Sequence, residues 1–115
     1  MGAPVMHFEI VGKDGKKLEQ FYSSLFDWKI DSNNDLHYGM VDNGGQGING
    51  GVAASQDGQP WAGFYVGVDN LQNVLSKAES LGGKTIMPPM DIPGGPSIAM
   101  FTDPEGNKIG LVTGM

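Results

Sequence analysis

Met6-His7-Phe8-Glu9-Ile10 and its counterpart Phe64-Tyr65-Val66-Gly67-Val68 decide the fold, because each opens the same small unit. After the first come Asp14, an amphipathic run from Leu18 to Phe26, and Trp28-Lys29-Ile30. After the second come Asn70, a run from Leu71 to Leu81, and Lys84-Thr85-Ile86. An offset of 56 residues carries Asp14 to Asn70, Leu18 to Val74, Tyr22 to Ala78, Leu25 to Leu81 and Ile30 to Ile86. Identity between the halves is low, so the match is one of pattern: strand, capped helix, short strands. Two such units can face each other and enclose a cavity, and the offset shows which positions should be equivalent across it.

The helices follow from spacing. Leu18, Phe21, Tyr22, Leu25 and Phe26 make one apolar stripe, read as core packing, with Asp14 as N-cap. Leu71, Val74, Leu75, Ala78 and Leu81 make the other, capped by Asp69 or Asn70 and ended by Gly82-Gly83 in a left-handed conformation. Strands are expected near 5–10, 36–42, 48–55, 62–68, 84–87, 97–102 and 107–113. Pro88, Pro89 and Pro93 must avoid ladder positions that need an N–H. Asp103-Pro104-Glu105-Gly106-Asn107 is a hairpin turn. The glycine-rich stretch 44–51 has no Gly-Lys-Ser/Thr ending and is not a phosphate loop. It reads as a turn running into a flat strand, Gly50–Ser55, with room beside its small side chains. The order is βαβββ twice, an α+β class: a curved mixed sheet around a cavity, with the two helices outside.

Composition sets wider bounds. The 115 residues suit a single domain, with module one at about 1–57 and module two at about 58–115. No apolar run spans a bilayer, and Met-Gly-Ala-Pro-Val does not read as a secretory signal. With no cysteines, a cytoplasmic location is expected. A net charge of −6 disfavours nucleic acid and mildly favours cationic partners.

His7-Phe8-Glu9-Ile10, Phe21-Tyr22 through Leu25-Phe26 and Trp28, Leu81-Gly82-Gly83-Lys84, Pro89-Met90-Asp91-Ile92-Pro93 and Asp103-Pro104-Glu105-Gly106-Asn107 together resemble the vicinal oxygen chelate superfamily. That superfamily holds glyoxalase I, extradiol dioxygenases, fosfomycin-modifying enzymes and bleomycin-resistance proteins. The resemblance covers essentially the whole chain and implies two βαβββ modules around a cavity, commonly in a homodimer. It leaves function open, because metal enzymes and metal-free binding proteins share the fold.

In the metal-dependent members, the resemblance implies four ligand positions on cavity-facing strands, usually His, Glu or Gln. The first matches His7; its counterpart falls on Gly63, the last-strand position on Gly110, and the partner of that on Ala53 or Ala54. Three of four therefore lack a donor, and one imidazole does not hold a catalytic ion. No metal and no cofactor are expected. His7, Glu9 and His37 could only rebuild a facial triad if His37 faced inward, where Tyr38 could equally point.

Alternation puts Glu9 on the same face as His7, and Gly63 and Tyr65 inward on the second module's first strand, with Phe8, Ile10, Phe64, Val66 and Val68 toward the helices. Trp61, Met40, Met90 and Met100 are candidate walls, and Gly63, Gly110 and Ala53 would open volume beside His7. The expected ligand site is His7, Glu9, Met40, Trp61, Gly63, Tyr65 and Gly110, taking a small organic molecule, aromatic or cationic. The expected protein is a metal-free homodimeric binder. The alternatives are a metal-independent lyase or isomerase using His7 and Glu9, a metal-dependent glyoxalase or dioxygenase with an atypical site, and a degenerate module kept for partner binding.

Overall fold

The computed structural model describes residues 2–115. Its elements run β1 (Val5–Gly12), α1 (Gly15–Phe26), β2 (Ile30–Asp31), β3 (Gly39–Val41), β4 (Gly50–Ala54), β5 (Trp61–Gly67), α2 (Leu71–Ser80), β6 (Lys84–Asp91), β7 (Ser97–Thr102) and β8 (Lys108–Thr113). The α+β class and the doubled βαβββ order are therefore as the repeat predicts. Residues 7–63 form one compact unit; residues 64–115, with residues 2–6, form the other. Just ahead of β1, the Pro4 carbonyl accepts from the Gly67 N–H at 2.8 Å within this second unit.

In the first unit the strand order is β2-β3-β4-β1. β1 and β4 are parallel, Phe8 opposite Gly50 and Glu9 opposite Gly51, while β3 runs antiparallel to β4 with Met40 opposite Gly51. Val41 and Val52 form the buried heart of this unit. Asp14 caps α1, its carboxylate accepting from the Lys17 N–H at 3.1 Å. Gly39 is closely surrounded: a Cβ there would lie 2.6 Å from the Val52 carbonyl oxygen, 2.7 Å from Ile30 Cγ2 and 3.2 Å from Glu19 Cγ on α1.

The α1 stripe departs from its expected role as core. None of its residues is fully buried, and Phe21, Leu25 and Phe26 are exposed. The aromatics pack on one another instead. Tyr22 and Phe26 lie 5.7 and 5.2 Å from Trp28, whose ring also meets Phe8 at 5.3 Å. Trp28 thus takes up contacts that the stripe alone would have sent to the sheet.

The second unit has the order β5-β8-β7-β6. Tyr65 pairs with Gly110 across parallel β5 and β8, and Met100 with Gly110 across antiparallel β7 and β8. Here the helix stripe does build a core: Leu71 and Leu75 with Ala99 and Leu111, flanked by Val66, Val68, Val74 and Phe101. Phe64 differs from expectation, standing 37% exposed where alternation placed it in the core. Asn70, not Asp69, caps α2, accepting from the Asn73 N–H at 2.9 Å. Gly82 follows the helix at φ 101°, as the double glycine predicts.

β6 runs on to Asp91 through Pro88 and Pro89, beyond the expected end at 87. Register shifts between Thr85, Met87 and Met90 take the prolines out of the ladder, so no N–H is missed. The Asp103 turn closes β7 onto β8: one carboxylate oxygen accepts from the N–H groups of Glu105 and Asn107, the other from the Asn107 side chain, all at 2.9 Å.

Two leucines on the α2 stripe test this account. Leu75 is 1% exposed and Leu81 is 69% exposed. Leu75→Ala should cost about 2–5 kcal/mol of unfolding free energy in a urea titration. Leu81→Ala should stay within about 0.5 kcal/mol of the parent. Equal losses would mean the stripe is packed differently.

Candidate functional site

On the sheet face of the first unit that points away from α1, alternation brings His7 and Glu9 to one side of β1. Gly51 is beside Glu9 on β4, and Met40 beside Gly51 on β3. The centre of this face is a residue outside the expected set. The Tyr38 hydroxyl lies 2.8 Å from His7 Nε2 and donates to Glu9 Oε1 at 2.8 Å. A phenol has one proton. With that proton given to Glu9, His7 Nε2 must be the donor toward Tyr38, which fixes the imidazole as the Nε2–H tautomer. His7 is buried, and burial pushes its pKa below the ordinary 6.5. The result is a directed chain: neutral His7, to the Tyr38 hydroxyl, to Glu9.

Gly51 makes room for this chain. A Cβ at Gly51 would overlap the Tyr38 ring at Cζ, Oη and Cε2. The neighbouring glycines are used in the same way, Gly50 lying under the Phe8 ring and Gly63 under the Trp61 ring. In the second unit Gly110 lies under the ring of Tyr65, which is buried. Gly63 and Gly110 were expected to open volume; each instead lies beneath an aromatic ring from its own unit, because a residue without a Cβ is where a flat ring can lie on the backbone.

The ladder also corrects one equivalence. Glu9 pairs with Gly51 as Tyr65 pairs with Gly110, so Gly51, not Ala53 or Ala54, is the counterpart of Gly110. Of the four positions where metal-dependent members of the resembled family carry ligands, His7 alone has a donor side chain. The other three are Gly51, Gly63 and Gly110, each beneath a ring. The Nε2 of His7 is already engaged by a phenol, so these residues do not fit a metal. Among the described residues no group of three His, Cys, Asp or Glu is placed to hold one.

Other expected residues take simpler places. His37 is exposed, at a left-handed φ of 52°, and lines a surface hollow with Lys13, Asp14, Lys16 and Glu19 at the start of α1. Met40 lies on the Tyr38 face and is 47% exposed. Trp61 is half-buried in the first unit. In the second unit Met100 is half-buried on the Gly110 face and Met90 is exposed. Tyr38 was the residue that sequence parity left undecided, and Asn34, four residues earlier in an Asn/Asp-rich turn, was the signal for it.

Two outcomes are expected. Gly51→Ala should expel the Tyr38 ring and lower stability by about 1–3 kcal/mol, the usual range for overpacking; a variant structure with Tyr38 still on His7 would contradict this. Acidification should also destabilise the fold. Folded His7 binds a proton less readily than an unfolded histidine, so below the ordinary value of 6.5 the unfolded chain holds more protons. Stability is therefore full above that value, falls as pH drops through it, and levels off below the folded-state value. His7→Gln should flatten this slope in melting curves across that window. The Asp103 carboxyl, held below its ordinary 3.8 by Asn107, acts at lower pH: its contribution is present above 3.8 and lost beneath it.

Comparison with known proteins agrees with this fold. Residues 5–111 match the model of the Glyoxalase/Bleomycin resistance protein/Dioxygenase superfamily. Curated relatives from Mycobacterium bovis and Mycobacterium tuberculosis, both named "Putative glyoxylase CFP32", are 31% identical over 108 residues, covering 85% of this chain. The match spans only 41% of their length. Among solved structures, protein BH1468 from Bacillus halodurans superimposes with a TM-score of 0.70 at 15% identity, covering 100% of this chain and 96% of that one. Methylmalonyl-CoA epimerase from Mycobacterium tuberculosis gives 0.65 at 15% identity, covering 95% and 86%. A superfamily member from Vibrio splendidus gives 0.65 at 10% identity, covering 97% and 99%. At such identities these structures speak for the fold. With nearly its whole length matched, the chain belongs to the glyoxalase/bleomycin resistance protein/dioxygenase superfamily.

Proposed function

We propose that this protein binds a small organic molecule, without a metal, at the polar centre formed by His7, Tyr38 and Glu9. The observation that carries this reading is the Tyr38 hydroxyl, held at 2.8 Å from both His7 Nε2 and Glu9 Oε1 over the Cβ-less Gly51. A phenol takes up the imidazole nitrogen that a metal would need. The site then presents the Glu9 carboxylate, with the apolar Met40 across Gly51 from it. Such a surface suits an apolar body with one polar or cationic group, the group meeting Glu9 and the body meeting Met40.

A second reading is favoured by the directed hydrogen bonds. A histidine in one tautomer, linked through a phenol to a carboxylate, is equipped for general acid–base work, worth about 10²–10⁴ in rate. The chain would then be a metal-independent isomerase or lyase.

A thermal-shift screen of small aromatic and cationic compounds tests the first reading. At about 100-fold excess over its dissociation constant a true ligand stabilises the fold by about 2.7 kcal/mol. The shift should survive EDTA and be lost in Tyr38→Phe, and Glu9→Gln should weaken cationic ligands more than neutral ones. Elemental analysis finding one tightly bound transition metal per chain, or ligands that stabilise wild type and Tyr38→Phe equally, would overturn it. Chelator-insensitive turnover abolished by Tyr38→Phe would favour the second reading.

A further inference from the structure

We propose that Asn34 is a positioning residue, whose two-point grip on the Tyr38 backbone sends Tyr38 rather than His37 into the site. The proposal rests on the His7–Tyr38–Glu9 centre being the working part of the molecule. Asn34 donates from Nδ2 to the Tyr38 carbonyl at 2.7 Å and accepts the Tyr38 N–H on Oδ1 at 2.9 Å. One side-chain amide thereby makes both bonds that a strand neighbour makes to a hydrogen-bonded residue of an antiparallel ladder. It does so just before β3 begins at Gly39.

The grip itself is anchored. The Asn34 N–H donates to the Ser32 carbonyl at 2.9 Å, the His37 N–H donates to the Asn34 carbonyl at 3.0 Å, and Asp31 Oδ1 accepts from the Asn33 N–H at 2.9 Å. Between grip and anchor, His37 sits at φ 52°, a conformation that a non-glycine residue adopts only where its surroundings impose it. That one left-handed residue sets the phase in which the chain enters β3. In a period-two strand, a slip by one residue exchanges faces, so His37 would come in and Tyr38 go out. Val41, 2% exposed, pins the strand proper, and Asn34 pins the residues ahead of it.

The test reads the His7 ring directly and needs no ligand. Long-range ¹H–¹⁵N NMR at alkaline pH, where imidazole is neutral, should show the single Nε2–H tautomer in the wild-type chain. Tyr38→Phe removes the acceptor and should give a mixture of both tautomers. Asn34→Ala should give the same mixture while the amide spectrum of residues 64–115 stays native. Leu36→Ala, an exposed change in the same loop, should leave the single tautomer intact. If Asn34→Ala disturbs the fold, Asn34→Asp serves in its place. It keeps the acceptor for the Tyr38 N–H but sets a carboxylate oxygen against the Tyr38 carbonyl, and the mixture is again expected. A single tautomer retained in a folded Asn34 variant, or a mixture in Leu36→Ala, would overturn the proposal. An empty ligand screen beside a lost tautomer in Asn34→Ala would sink the binding reading and leave the grip standing.

Discussion

Everything distinctive about this site depends on one close approach, the Tyr38 ring lying over the backbone of Gly51. A single methyl group at that position would occupy the space of the ring, so the hydroxyl could not reach His7 and Glu9 together. Once the ring is in place, the hydrogen-bond inventory leaves little freedom. One phenolic proton goes to the carboxylate, so the imidazole must donate. Burial then keeps that imidazole neutral. Geometry, tautomer and charge state follow from an absent Cβ.

The same device recurs at Gly50 beneath Phe8, Gly63 beneath Trp61 and Gly110 beneath Tyr65. Glycine in a strand costs backbone entropy and contributes no packing of its own. Here each ring restores the packing that its glycine gives up. Three of these four positions, counting Gly51, are those where the metal-dependent relatives resembled by the sequence place ligands. At those three positions this chain presents aromatic surface where a ligand side chain would stand, and a shared fold does not by itself fix the chemistry.

The two modules are unequal in how they use their helices. In the second, α2 buries Leu71 and Leu75 against Ala99 and Leu111, an aliphatic core of the ordinary kind. In the first, Val41 and Val52 carry the burial, and the aromatics of α1 gather on Trp28 at the side. The first module, whose glycine strand holds the polar centre, therefore has the thinner core.

Local signals were enough for the fold. The repeat, the two apolar stripes, the Asp14 cap, the double glycine after α2 and the Asp103 turn act over a few residues, and such interactions are written in order along the chain. His7 and Glu9 were legible as a pair for the same reason, since strand alternation is local. Long-range contact settled the rest. Whether Tyr38 or His37 faces inward turns on one left-handed residue and a side-chain grip, to which a period-two pattern is blind. The equivalence of Gly51 with Gly110 is a matter of register between strands far apart in sequence. Whether a glycine leaves a void or lies beneath a ring depends on where a distant side chain turns, and only the packed structure decides that.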